Sequence, residues 1–472
     1  MGPTSGEMDP SNPDDMKRNL LFKSGSPGTA RLLSLFLLAC APVAHALGFA
    51  NGIKIGEITP GSVVLWARLT AAPEAAHRVD QWTAEQPNWL VPGEQGEIRF
   101  VLRRHDDPSR EVQGQWTAVG GDHDFCHQER FGSLDPATRY DLDVHGRSGN
   151  ETVKLSQSFT TAPAADSTAP LVFTVSTCQE FELRDDPANG HRIYQSMLRL
   201  APAFFIQTGD TLYYDRKPPL AKNITLARYR WGRMYSLPYQ VAFHRAVPTY
   251  WMHDDHDLLK NDCWPGQKYG DVTWEQGLQV WHEQIPQSDK PYRSFRWGRH
   301  LQIWLPEGRE FRSPNTMPDG PEKTILGAEQ WAWLERSMKS SDATFKLYVS
   351  ATPVVGPDRK GKNDSHANEG FEHEGERLRK FLNSVPGCFV INGDRHWQYH
   401  SVDPVTGLNE FGCGPASDAH AQGFSKSMRQ PSQKFLRIKG GFVSVAVGPA
   451  GATVVHHDVD GKPMHETKIA AP

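Results

Sequence analysis

Four apolar runs in this 472-residue chain end in side chains able to hold a metal ion. "LVFTVST" runs into Cys178, and "AFFIQTG" into Asp210, with Tyr213 close behind. "VPTYWMH" empties into Asp254-Asp255-His256-Asp257, followed by Asn261, and "CFVING" into Asp394 and His396. Each piece alone has a plain explanation. A cysteine is a small core residue, Gly-Asp marks a turn, a run such as "DDHD" is a solvated loop, and a tyrosine after a strand is packing. Their joint placement is what carries weight. In open α/β sheets ligands gather at the carboxyl ends of the strands. A metal site built from Cys178, Asp210, Tyr213, Asp254, Asp255, Asn261, Asp394 and His396 is therefore expected.

The ligand types constrain the chemistry. Carboxylates and an amide suit hard cations such as calcium, magnesium or manganese. A thiolate, a phenolate and an imidazole suit a stronger Lewis acid. Tyrosine ionises near pH ~10 when free, and ferric iron is a metal that holds it as phenolate. A mixed site follows, with one redox-type metal and one or more hard cations. Close metal ions are common machinery for hydrolysing phosphate esters. "LQIWLPEGREFRSPN" adds Glu307, Arg309 and Arg312 just after an apolar run. Arginine grips phosphate oxygens bidentately, although surface salt bridging is the plainer use of such residues. In "NDSHANEGFEHEGERL", His366 and His373 read as a solvated loop and a helix start, with metal ligation the lesser alternative.

Two kinds of pattern must position these residues. Residues 48–162 hold short strands separated by turn signals, among them "GSVVLWARL", "EIRFVLRR" and "VKLSQSFTTAP", which predicts a β-sandwich. Leu134-Asp135-Pro136 followed by Tyr140 resembles the entry to the penultimate strand of a fibronectin-III-like domain, where a tyrosine packs back on the preceding corner. The Pro/Ala-rich stretch 163–169 reads as a linker. Over 170–465, continuous apolar strands alternate with helix-like segments such as "ITLARYRWGRMYSL", "GAEQWAWLERSMKS" and "GERLRKFLNSV". That pattern predicts a sheet covered on both faces. The stretch around Gly448-Pro449-Ala450-Gly451 predicts a closing hairpin.

Residues 1–46 are set apart. A polar, basic leader precedes "LLSLFLLACAPVAHA", which is too short to span a membrane comfortably, and Ala44-His45-Ala46 has the form of a signal-peptidase site. We read a secretory signal cleaved after Ala46, with Met16 as an alternative start. Lipoprotein anchoring at Cys40 is the lesser alternative. No other stretch of the sequence reads as a transmembrane helix. Cleavage leaves Cys126, Cys178, Cys263, Cys388 and Cys413, an odd number without a CxxC pair, so at least one thiol is unpaired within the chain and a structural zinc finger is not expected. The net charge of −4 gives no basic field for nucleic acid.

With these residues in view, the chain from 48 to about 460 resembles the PhoD-type alkaline phosphatases, a branch of the metallophosphoesterase superfamily. The family's Ser-Cys-Gln appears as Thr177-Cys178-Gln179, its Gly-Asp-x-Ile-Tyr as Gly209-Asp210-Thr211-Leu212-Tyr213, and its Gly-Asp-x-His-Trp as Gly393-Asp394-Arg395-His396-Trp397. Its Trp-Asp-Asp-His-Glu-Val-x-Asn-Asn appears as residues 253–261, its Asp-x-Arg-x-Tyr-Arg as residues 307–312, and "LGAEQWAWL" matches a family helix. The resemblance implies an α/β (α+β) chain, with a fibronectin-III-like β-sandwich ahead of a four-layer αββα catalytic domain. It implies phosphate-ester hydrolysis outside the cytoplasm with one ferric iron and one or two calcium ions, or with zinc, manganese or magnesium in their place. By position, Cys178, Asp210, Tyr213 and His396 would hold iron, with Asp210 bridging. Asp254, Asp255, Asn261 and Asp394 would supply the calcium shell, Arg309 would grip phosphate, and His256 would be the general acid.

The chain departs from the pattern at His253 for tryptophan, Lys260 for asparagine and Glu307 for aspartate. Lys260 would replace one calcium or bind substrate, alongside Arg312. The expected substrate is a small phosphate mono- or diester, with no sequence-specific nucleic acid partner. The alternatives are a phospholipase-D-like or other ester hydrolase on the same metal site, and a non-catalytic binding protein carrying a degenerate enzyme domain.

Overall fold

The computed structural model describes residues 46–75, 91–288, 290–359 and 361–472. The leader, its cleavage signal and Cys40 lie outside them. Residues 45–472 form one unit.

Two large sheets face each other. The first has nine strands in the order Pro463–Ile469, Gly451–His457, Phe442–Gly448, Leu171–Ser176, Phe204–Gln207, Thr249–Trp251, Ile53–Gly56, Val63–Arg68, Cys126–Phe131. The second has seven, in the order Arg293–Trp297, Leu301–Leu305, Phe345–Ser350, Cys388–Asn392, Asn409–Cys413, Gln398–Val402, Gln433–Arg437. At the centre of each sheet the strands run parallel. Alternation along a strand sends neighbouring side chains to opposite faces. Ile206 joins Phe173, Val175, Leu347, Val349 and Ile391 between the sheets, while Phe205 turns outward to meet Ile193, Tyr194 and Phe243. On the far side, Trp304, Tyr348 and Val390 pack against Trp331, Leu334, Leu378 and Phe381 of the helices Ala328–Lys339 and Glu372–Ser384. The layers are thus helix, sheet, sheet, helix.

The region expected as an amino-terminal β-sandwich shares a sheet with the rest of the chain. One of its sheets is present, with Gly96–Arg104 at the centre between Asp107–Gln113 and Arg139–Ser148, then Glu151–Thr160, and Thr117–Val119 pairing onto Gly96–Arg104. The other three strands extend the nine-stranded sheet, through the parallel bridge from Gly56 to Thr249. Leu65, Phe100, Leu142, Phe173 and Ile303 consequently share one continuous core. The segment expected as a linker is docked, since the Ser167 carbonyl accepts from Arg299 N at 2.7 Å. The tyrosine corner is formed, with Asp135 N–H donating to Tyr140 Oη at 2.9 Å.

The strand Val63–Arg68 is buried on both faces, not one. The helix Trp274–Gln284, capped by Thr273 and Gln276, covers its second face. Trp66 Nε1 donates to the Glu283 carbonyl and Lys54 Nζ to that of Gln284. The hairpin closes where Gly448 pairs with Gly451, and a third strand continues to Ile469. None of the five described cysteines is bridged. Among the described residues, no helix is long and apolar enough to cross a membrane.

Candidate metal centre

Leu171–Ser176, Phe204–Gln207, Thr249–Trp251 and Cys388–Asn392 end at one place. Ligand atoms of Cys178, Asp210 and His396 lie within 4.8 Å of one another, as do those of Asp210, Asp254 and Asp394, and those of Asp210, Asp255 and His256. Asp210 belongs to all three groups. Its Oδ2 is 3.4 Å from Cys178 Sγ and accepts from Tyr213 Oη at 2.9 Å, and Tyr213 Oη lies 3.2 Å from His396 Nε2.

The backbone is bent to achieve this. Cys178, Asp210 and Asp394 all have positive φ, at 47°, 51° and 60°, a conformation costly for non-glycine residues and found where function demands it. The glycines ahead of two of them permit the close approach. A Cβ on Gly209 would sit 2.7 Å from the Asp254 Cβ, and one on Gly393 would sit 2.4 Å from both Thr177 Oγ1 and Thr208 Oγ1.

Asp257, the last residue of the "DDHD" run, is the clamp. Its Oδ1 accepts from the N–H groups of Thr211 and Leu212, and its Oδ2 from that of Asp254. One carboxylate therefore holds two ligand loops at fixed separation. Asp215 is a second residue the sequence did not single out. Its Oδ1 is 2.6 Å from His256 Nδ1, and its Oδ2 accepts from Asn261 N at 2.8 Å. His420 is a third. Its ring lies 4.1 Å from that of His396 and 5.2 Å from that of Tyr213, and its Nδ1 is 3.2 Å from the Cys178 carbonyl. Asp215 lies close to the Gly-Asp motif, so its proximity was a usable signal. His420 comes from a distant loop without regular pattern, and no local signal existed.

The electrostatics are those of a site short of positive charge. Burial, then the neighbouring Asp255, Asp254 and Asp257, push the Asp210 carboxyl well above the usual range, against the pull of His256. Asp254 is pushed up to about 7, chiefly by burial. Burial, with Asp210 and Asp394 adding to it, raises the Cys178 thiol well above normal, and burial with Asp210 and Cys178 does the same to the Tyr213 phenol. Asp210 Oδ1 and Asp254 Oδ2 are buried without a hydrogen-bond partner. Burying carboxylates in this way is unfavourable unless a cation compensates them. The donor set fits a soft-to-borderline metal on the Cys178, Tyr213 and His396 side and a hard cation on the Asp254 and Asp394 side, with Asp210 between.

The residues expected to meet substrate are more dispersed. Arg309 is 1% exposed. Its Nε donates to Asp254 Oδ1, its Nη2 lies 3.7 Å from Asp255 Oδ2, and its Nη1 donates to the Cys263 carbonyl. Arg312 is also buried, with Nη2 on Asn315 Oδ1 and the Asp364 carbonyl. Arg309 is thus held by the carboxylates themselves, and Arg312 by the loop behind them. Lys260 is half-buried and Asn261 exposed, at the rim. His366 is buried against Glu374 at 3.0 Å, and His373 is exposed on the first turn of its helix, so neither takes part in the centre.

A loop described over 354–359 and 361–368 lies beside the centre. Its start is fixed by Glu410, which accepts from the N–H groups of Val354, Val355 and Gly356 and from Tyr399 Oη. Its acidic residues Asp358 and Asp364 meet the buried Arg395, which also donates to Asp394.

A family model described as PhoD-like phosphatase matches residues 173–447. Alkaline phosphatase D of Bacillus subtilis (strain 168) is 22% identical over 495 aligned positions, covering 89% of this chain and 79% of that protein. Among solved structures, that of PhoD superposes with a TM-score of 0.72 at 18% identity, covering 92% of this chain and 94% of the other. Purple acid phosphatase PPD1 from yellow lupin (Lupinus luteus) seeds superposes at 0.64 and 11% identity, covering 90% and 74%. At these identities the two superpositions show a shared fold.

Proposed function

The chain belongs to the PhoD-like phosphatase family, and from that premise we propose that this phosphoesterase is an exported, metal-dependent enzyme acting on small phosphate mono- or diesters. The observation that carries the reading is the position of Asp210, common to three overlapping ligand groups delivered by four strand ends. Such sharing suits a carboxylate that bridges two cations. Cys178, Tyr213 and His396 would complete one position, as ferric iron, and Asp254 and Asp394 would flank the other, as calcium, with Asp255 and Asn261 nearby. Bound there, the cations would supply Lewis-acid polarisation of the phosphoryl oxygens and a more acidic attacking water.

The chain's own residues do the rest. His256 is the proton donor. Burial opposes its charge, but Asp255, Asp210 and Asp215 outweigh burial and bring its pKa to about 10. With Nδ1–H committed to Asp215, the deliverable proton sits on Nε2, the atom that would face the leaving oxygen. Asp257 and Arg395 position ligands and take no part in proton transfer. Asp257 sets the spacing of the two ligand loops, and Arg395 holds Asp394 in place. The leader ending at Ala46 supports export. N-terminal sequencing of protein recovered from outside the cytoplasm tests that part.

The activity test uses p-nitrophenyl phosphate and its bis ester, with elemental analysis of the same preparation. Turnover that a chelator abolishes is expected. Fully metal-loaded enzyme that leaves both esters untouched would overturn the reading, and a wider ester panel would then separate the alternative substrates.

A further inference from the structure

Arg309 and Arg312 are buried and engaged, which leaves open which cations meet the substrate. Two other guanidinium groups stand beside the iron-type ligands. Arg216 Cζ lies 5.2 Å from the Tyr213 ring, and its Nη1 is 3.5 Å from His420 Nε2. With the Gln422 amide oxygen turned toward it, that oxygen accepts from Arg216 Nη1 and Nη2 at 3.2 and 2.7 Å. The next residue, Gly423, approaches the second group, since a Cβ there would lie 3.4 Å from Arg359 Nη1 and 3.6 Å from Trp397 Cζ3. Residues 420–424 thus touch His396, Arg216 and Arg359 in succession, and Phe424 packs on Trp397 at 5.4 Å.

The two arginines differ in how far they are neutralised. Arg216 is paired with one acid, the buried Glu180, with its Nε 3.4 Å from Oε2. Arg359 has none among the described residues. Its Nε is buried without a partner, and the adjacent Asp358 is committed to Arg395, Ser365 and Asn368. A guanidinium held half-buried without a counter-charge beside a catalytic centre is poised for an anion, and its planar fork matches phosphate oxygens.

We propose that Arg216 and Arg359, joined by residues 420–424, form an anion clamp at the rim of the metal centre that receives the dianionic phosphoryl group of a phosphate monoester. The proposal rests on the phosphoesterase reading and sharpens it. A diester brings a single negative charge and a second bulky substituent, so it gains less from two guanidinium groups than a monoester does. This makes the clamp a determinant of specificity rather than of bond breaking.

The test compares wild type, Arg359→Ala and Arg216→Ala on p-nitrophenyl phosphate and its bis ester, with calorimetric titration of inorganic phosphate into each metal-loaded protein. Arg359→Ala is expected to raise KM for the monoester about tenfold or more, to change the diester less than about threefold, and to weaken phosphate binding about tenfold. Melting temperatures near that of wild type establish that the variants fold. If Arg216→Ala does not fold, Arg359→Ala decides alone. Equal losses on both esters, or unchanged phosphate affinity in folded Arg359→Ala, would overturn the clamp. Wild type that turns over neither ester would sink the phosphoesterase reading instead, while the phosphate titrations still report on the clamp.

Discussion

His253 Nε2 lies 3.0 Å from Glu307 Oε2, with both side chains buried. At both positions the sequence departs from the family pattern, and in the fold they are partners. Glu307 Oε1 also accepts from the N–H groups of Arg309 and Glu310, so the pair fixes the turn that carries Arg309. Removing one member of a buried pair leaves the other unpaired, at a cost of about 3–5 kcal/mol. His253→Gln and Glu307→Gln should each lower stability by that order in denaturant unfolding. The double variant should cost less than the sum, because the pair is lost only once. Strict additivity would show that the two residues do not depend on each other.

His256 is held by Asp215, whose hydrogen bond and charge favour the protonated ring and raise its pKa. Its acid form is present below that pKa and lost as pH rises through it, so kcat/KM should fall on the alkaline side. Asp215→Asn removes a hydrogen bond and a charge that raise the pKa. The alkaline limb should move to lower pH, and kcat should drop about 10- to 100-fold from the loss of a positioned acid. A pH–rate profile of the variant that overlays wild type would assign the proton donor elsewhere.

Tyr213 has its phenol within reach of Asp210 and His396. With ferric iron in place, the purified protein should be coloured by phenolate-to-iron charge transfer, and Tyr213→Phe should lose that visible band. Chelator treatment should remove colour and activity together. A colourless and fully active wild type would point to zinc or manganese.

Lys54 is fully buried between Trp66 and Tyr235, with Nζ 3.8 and 3.9 Å from their ring centres. Burial is the chief cause that brings its pKa down to about 7. The unfolded chain therefore binds a proton below pH ~10.5 that the folded chain takes up only below about 7, and stability from this group rises between those two values. Lys54→Met should raise the melting temperature at pH 7 relative to its effect at pH 10, where the wild-type amine is neutral and keeps its bond to the Gln284 carbonyl. The full penalty is on the order of 4–5 kcal/mol. A variant-minus-wild-type difference that stays flat across this range would refute the linkage.

Much of this protein was legible in one dimension. Apolar runs bounded by Gly-Asp or Asp-Asp steps announce parallel strands and the ligands at their ends, because strand burial and ligand type are both written locally. Cys178, Asp210, Tyr213, Asp254, Asp255, His256, Asp394 and His396 were named on that basis, and the fold brings them together. The hairpin around Gly448 and the tyrosine corner at Tyr140 were equally local.

Contacts between segments far apart in the chain were not legible. Nothing in "GSVVLWARL" says that its sheet continues into that of Thr249–Trp251, because strand pairing across the bridge from Gly56 is a non-local choice. Nor does Arg309 announce that Asp254 will hold it, or Arg359 that no acid among the described residues will pair with it. The sequence by itself determined which atoms could bind metal and which strands would carry them. Only the tertiary structure decided which charges neutralise one another and which are left for a ligand, since electrostatic pairing depends on distance in space and not on separation along the chain.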